Sequence, residues 1–211
     1  MRPARRGRRL GLVLTLVLAL GGCAGVALRP GSTVPLVPEV DLQRYAGDWF
    51  VVAHIPTERD ADSHNAVENY SLLPDGRIAT TYRNRLGGFG GRHKLMTPTA
   101  RVVPGTGNAL WAMRFQIPGT PLVWPVDYEY RIAHLAPDYS LAIIARSQRD
   151  YLWIFQRSAE FSEADLERYR RLIAGWGYDA SRLQRVPQQW PNPADGSLPP
   201  RGPHPSFGLS P

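Results

Sequence analysis

The chain has 211 residues, one cysteine and a formal net charge of +7. The surplus lies at the start: five arginines come before residue 10, and without them the balance falls to +2, which removes the argument for a nucleic-acid partner. A lone cysteine permits no internal disulfide, so stability must come from an apolar core, and a domain of about 150 residues is long enough to bury one.

Arg2, Arg5, Arg6, Arg8 and Arg9 form a basic leader, followed by an apolar run from Leu10 to Leu20 and then Gly21-Gly22-Cys23. This reads as an export signal over residues 1–22, because the apolar run is shorter than the roughly 20 residues of a membrane-spanning helix. Small residues ahead of a lone cysteine resemble the lipobox of bacterial lipoproteins. That resemblance implies that Cys23 is acylated on sulfur, becomes the new N-terminus and is acylated there too; Ala24 implies sorting to the outer membrane. Several acyl chains would anchor far more firmly than one. Residues 23–38 carry Pro30, Gly31, Ser32, Thr33, Pro35 and Pro38 without periodicity and read as a flexible tether. Residues 39–186 form one predicted domain. Residues 187–211 hold eight prolines and are expected to be disordered.

The domain opens on Gly47-Asp48-Trp49-Phe50-Val51-Val52-Ala53-His54-Ile55. Period two puts Trp49, Val51, Ala53 and Ile55 on one face of a strand, with Phe50, Val52 and His54 on the other. A polar loop follows from Thr57 to Asn65, then a strand from Val67 to Leu73. Pro74-Asp75-Gly76 turns the chain into a third strand, Arg77 to Arg85. Gly87-Gly88-Phe89-Gly90-Gly91 is a loop; with no Gly-Lys-Ser/Thr and no following helix, it is a poor phosphate cradle. Five more strands are predicted at Lys94–Val103, Ala109–Ile117, Val126–His134, Tyr139–Arg146 and Asp150–Arg157.

Eight strands with short turns predict an up-and-down antiparallel barrel or a sandwich. The odd-numbered loops are longer or richer in Gly and Pro, the even ones tight, so one end should be closed and the other gated. Ser162 as N-cap, Asp165 three residues later, and the stripe Leu166, Tyr169, Leu172 and Ile173 predict a helix stopped by Gly175. It should pack against the outside of the barrel.

Gly47-X-Trp49 opening the first strand and Arg157 closing the last resemble the lipocalins. Asn69-Tyr70-Ser71-Leu72, Pro137-Asp138-Tyr139 and Tyr151-Leu152-Trp153-Ile154 resemble the bacterial and apolipoprotein D branch. The resemblance covers roughly residues 40–187. It implies an all-β fold, an eight-stranded up-and-down antiparallel barrel (the lipocalin calyx) with a C-terminal α-helix packed outside. It also implies that the Arg157 guanidinium lies across the Trp49 indole at the closed end. Gly47, Trp49, Asp138, Tyr139 and Arg157 are then the structural motif. Two departures stand out: Pro137 where Thr is more usual, and Glu68 where a small residue is common.

If Arg157 faces inward, Phe155, Trp153 and Tyr151 share its face. The resemblance places Tyr70 and Tyr130 inward, which carries along Glu68 and Leu72 on one strand and Tyr128, Ile132 and His134 on the other. Trp111, Met113 and Phe115 form the apolar face of the fifth. The candidate ligand-binding residues are therefore Glu68, Tyr70, Met113, Phe115, Tyr130, Tyr151 and Trp153. Trp153 would stand about 13 Å above Arg157, at mid-barrel. A buried carboxylate is costly, so Glu68 should meet an arginine, a tyrosine hydroxyl or a ligand head group, unless the parity is off by one.

The expected function is a membrane-anchored carrier of a fatty acid, lysophospholipid or similar hydrophobic molecule at the cell envelope. It would be lipid-anchored to the outer membrane and face the periplasm, with room for a homodimer. The alternatives are a structural lipoprotein with a side-chain-filled barrel, or a barrel enzyme acting on lipid. Catalysis has little support. His54, His64, His93, His134 and His204 lack metal-ligand spacing, no Gly-X-Ser-X-Gly elbow occurs, and nothing brings Glu68 and Asp127 together as an acid/base pair. No metal or cofactor is expected.

Overall fold

The computed structural model describes residues 33–57, 60–117, 120 and 122–199. Cys23 and the export signal lie outside the described residues. The Asp41 carboxylate accepts the backbone N–H groups of Gln43 and Arg44 at 2.9 and 3.2 Å, capping a one-turn helix α1, Leu42–Tyr45. The chain then bends at Gly47, whose φ of 93° a side chain would resist, into strand β1, Gly47–Ile55.

Strands β2 (Ser63–Leu72), β3 (Ile78–Leu86), β4 (Arg92–Met96), β5 (Thr99–Val102), β6 (Leu110–Arg114), β7 (Tyr128–Leu135), β8 (Leu141–Ala145) and β9 (Leu152–Gln156) follow. All pair antiparallel, and β9 returns to β1 to close the barrel. β4 and β5 together form the fourth of its eight staves. Pro98, which has no N–H to give the ladder, divides the expected Lys94–Val103 strand in two, and both halves pair with β3. β2 starts before the expected Val67, because Ser63 and His64 already pair with Leu86 and Arg85. A last short strand, β10 (Gln184–Arg185), adds to the outer edge of β1.

Two irregularities redirect side chains that strict alternation had assigned. The β1–β9 register shifts between Val51 and Ala53. Beyond it Ala53 and Ile55 join the outer core rather than sharing the inward face of Trp49, and His54, opposite Trp153, turns inward. A second shift between Ile132 and His134 turns His134 outward, beside Arg168 of the C-terminal helix.

The apolar residues accordingly form two cores. One fills the barrel and contains Trp49, Tyr70, Trp111, Tyr130, Ile144 and Phe155. The other lies between the barrel wall and helix α2, Glu163–Ala174, and joins Val52, Val67, Ile143 and Ile154 to Leu166, Tyr169 and Ile173. The expected capping box is present: Ser162 Oγ accepts from Asp165 N, and the Asp165 carboxylate accepts from Ser162 N. Phe161 stacks on Tyr169 at 6.2 Å. Gly175 ends the helix in right-handed conformation, and the left-handed turn falls at Gly177, φ 81°.

Residues 33–40 and 187–199 pack where parts of a tether and a free tail were expected. Residues 33–40 run down β7 from the open end toward the closed end. Arg149 donates to Thr33 Oγ1 at the top, Val37 N donates to Ile132 O midway, and Val40 N donates to Gly107 O at the bottom. Gly107 is needed there, since a Cβ would stand 1.9 Å from Pro38 O. Under this strap the Glu129–Arg131 pair is fully buried at 2.7 Å; Arg131 also donates to Val34 O and Ser147 Oγ to Glu129. At the other end, residues 187–199 were expected to be free. Instead Asn65 N donates to Pro187 O, Gln188 Nε2 donates to Val51 O and Ala66 O, and Trp190 packs on Phe50 at 6.1 Å.

Candidate functional site

The closed end is held by Arg157. Its guanidinium lies 3.6 Å from the Trp49 ring centroid, as expected, and donates to four backbone carbonyls, those of Arg44, Tyr45, Ala46 and Asp48. Trp49 Nε1 donates to Tyr45 O at 2.9 Å. Asp138 Oδ1 accepts from the backbone and hydroxyl of Ser140, and these bonds hold its carboxyl below the usual range. Tyr139, at φ 61°, accepts Asp41 N on its hydroxyl and carries the Arg44 guanidinium 4.0 Å above its ring. The five motif residues thus tie α1, β1, the β7–β8 turn and β9 into one knot.

Above that knot the barrel is floored with rings. Trp111 and Tyr130 stack at 4.6 Å and 7°, and Tyr45 and Tyr70 meet the Trp111 edge at 5.5 and 5.4 Å. The Tyr130 hydroxyl links those of Tyr45 (2.8 Å) and Tyr70 (2.5 Å). Burial pushes all three phenols up, so they remain neutral hydrogen-bonding groups. Over the floor lies a cavity of about 50 Å³, room for a few waters or a short apolar chain. Its lining includes Glu68, Tyr70, Met113, Phe115, Tyr130 and Trp153, six of the seven candidates.

Tyr151 is the exception. It stands at the rim against Trp153 (4.5 Å), under the Arg146 guanidinium at 4.6 Å. Arg146 follows Ala142 and Ile144 on the inward parity of β8, is itself buried, and is held by Asp150 and Gln148. Strand parity had put Tyr151 in the wall; the turn before β9 puts it beside the opening instead.

Glu68 faces inward, as parity required, across from Trp49 on β1 and Tyr82 on β3. It is 8% exposed, and among the described residues no hydrogen bond or ion pair reaches its carboxyl. Desolvation raises it to about 8, so at neutral pH it is mostly the uncharged acid. Neither the arginine nor the tyrosine hydroxyl expected as its partner is there.

Sequence reasoning missed Asp60, Tyr82, Met96, Pro98 and Phe155 in the lining. Phe155 carried the right parity. Tyr82 could be reached only through the β2–β3 register. Asp60 comes from the loop after β1, where Thr57 donates to it twice, from N at 2.7 Å and Oγ1 at 2.6 Å. Ser63 Oγ donates to Asp60 O and accepts from Asn84 and Tyr82, closing a polar collar on that side. His54 borders it, and burial lowers the ring to about 4, so it is neutral near pH 7. Among the described residues no three His, Cys, Asp or Glu side chains cluster as metal ligands.

A Lipocalin-like domain model matches residues 40–188. The chain is a lipocalin. This lipocalin is 29% identical over 171 residues to temperature-induced lipocalin-1 of Arabidopsis thaliana, covering 78% of the chain and 88% of the relative. It is 27% identical to the outer membrane lipoprotein Blc of Vibrio cholerae, over 86% and 99% of the two chains. Among solved structures, insecticyanin from the tobacco hornworm Manduca sexta superposes with a TM-score of 0.58 at 16% identity, over 75% of this lipocalin and 86% of that chain. That last likeness shows the fold alone.

Proposed function

We propose that this lipocalin is a membrane-anchored carrier holding a small hydrophobic molecule at the cell envelope. The observation that carries the reading is the cavity between the aromatic floor and the rim, apolar in its walls apart from a few polar groups, Glu68 and Asp60 among them. Such a lining suits an apolar body bearing one polar group. Similarity to outer membrane lipoproteins supports the envelope location and acylation of Cys23. The strap supports a particular orientation. Thr33 sits at the open end beside Arg149, and the stretch from Cys23 to Thr33 spans at most about 35 Å when extended, so an acylated Cys23 keeps the mouth near the membrane surface. Leu122, Val123 and Trp124 of the β6–β7 loop are exposed at the same end.

Binding is tested by tryptophan fluorescence during lipid titration, comparing wild type with Trp153→Phe. Saturable quenching that weakens in the variant is the expected result, and a quench unchanged by it moves the ligand elsewhere. The small cavity favours a second reading, a barrel filled by its own side chains. Met96 and Met113 have the rotamer freedom to enlarge the space. Lipid extraction and native mass spectrometry of the purified protein separate the two: co-purifying lipid supports the carrier, and its absence together with no saturable binding supports the filled barrel.

A further inference from the structure

Glu68 sits low in the barrel, opposite Trp49 and Tyr82 and two residues along β2 from Tyr70 in the floor, with its carboxyl unpartnered. The described lining of the cavity contains two carboxyl groups, Asp60 and Glu68, and no lysine or arginine. Asp60 already accepts two hydrogen bonds from Thr57 on its Oδ1. Two guanidiniums bordering the barrel interior are held by other groups: Arg157 lies on Trp49 and donates to four carbonyls, and Arg146 is bound at the rim by Asp150 and Gln148, with only its Nε left without a partner. A ligand that entered carboxylate first would meet no cation and one acid. A ligand that entered ammonium first would meet the one carboxyl of the described lining to which no hydrogen bond or ion pair is made; the other buried acceptors without a donor, among them Thr80 Oγ1 and Asn84 Oδ1, are neutral.

We infer that the hydrophobic ligand is an amine, bound with its ammonium group down against Glu68 and its apolar body rising past Met113, Phe115 and Trp153 to the mouth. This rests on the carrier reading and narrows it, turning away from the fatty-acid class expected from resemblance. Binding is then linked to a proton. The free carboxyl is mostly protonated near pH 7; the incoming ammonium stabilises its ionised form, and the Glu68 proton passes to solvent. The phenols of Tyr45, Tyr70, Tyr82 and Tyr130 are pushed further up from their ordinary value, and His54 is already neutral.

The test uses the full chain carrying Cys23→Ser and three probes of one length: octylamine, octanol and octanoate. Octylamine should bind at least tenfold more tightly than octanoate at pH 7.5. Its affinity should rise about tenfold per pH unit below pH 8 and level off above it, since an alkylamine stays charged to about pH 10. Calorimetry in two buffers of different ionisation enthalpy should read a released proton approaching one per ligand below pH 8. Glu68→Gln should lose the preference, the slope and the proton release, while Glu167→Gln, on the outer face of α2, keeps all three. Octanoate binding as tightly as octylamine, or a preference that survives Glu68→Gln, overturns the inference. Octanol and octanoate binding without amine preference would leave the carrier reading standing and sink only the head-group assignment. Failure of all three probes would sink both.

Discussion

Glu68 imposes a cost that depends on pH. Its folded value of about 8 lies above the ordinary 4.5, so the folded chain holds the proton more tightly than the unfolded one. The folded state therefore loses stability as pH rises from about 4.5 to about 8, and the loss is constant above that. Glu68→Gln should melt progressively higher than wild type across this range, by a few kcal/mol at most at pH 8.5 and by little near pH 4.5. Thermal melts at pH 5 and 8.5 check it, and an equal difference at both would place the carboxyl in water. His54 acts in the opposite sense: lowered to about 4, it makes the folded state lose stability as pH falls from 6.5 toward 4. At the closed end, Arg157→Ala removes donors to four carbonyls and uncovers Trp49; a loss of about 2–4 kcal/mol in denaturant unfolding is expected. Tyr130→Phe keeps the stack on Trp111 but takes away the hydroxyl shared by Tyr45 and Tyr70, for about 1–2 kcal/mol.

Among the elements, the seam between β1 and β2 is the weak place. Their pairing runs only from Gly47–Tyr70 to Phe50–Val67, after which the strands part. The C-terminal segment enters the gap. Val186 N donates to Val52 O, and Gln188 bridges Val51 O and Ala66 O with one amide group. Removing the amide takes a donor from each of these carbonyls. Gln188→Ala should thus cost about 1–3 kcal/mol, and amide exchange should quicken first in β1 beyond Val51 and in the start of β2. Unchanged exchange there would mean that water replaces the side chain without loss. The bulge at Val52 belongs to the same region, since it is what hands Ala53 and Ile55 to the outer core and His54 to the barrel.

For the molecule as a whole, the strap runs along β7 from the mouth to the closed end, and the tail fills the gap between β1 and β2. If Cys23 carries the proposed anchor, Cys23→Ser should release the protein from membranes without altering its melting temperature, because the described contacts of the strap, from Thr33 onward, do not involve Cys23. Fractionation and a thermal melt together check this; persistence of Cys23→Ser in the membrane fraction would point to another attachment.

Local chemistry was enough for the strands, the turns at Pro74-Asp75-Gly76 and Pro137-Asp138 and the capping box at Ser162, because each depends on neighbours within a few residues; the inward parity of Tyr70, Trp153 and Glu68 took the family resemblance and strand alternation together. The same alternation failed at Ala53, Ile55 and His134, where an extra residue in one strand breaks the period without leaving a mark in composition. Whether Glu68 has a partner, whether Pro187 to Pro199 packs, and which loop supplies Asp60 depend on contacts between residues far apart in the chain. Those were decided only when β9 closed on β1 and the tail found the gap beside it.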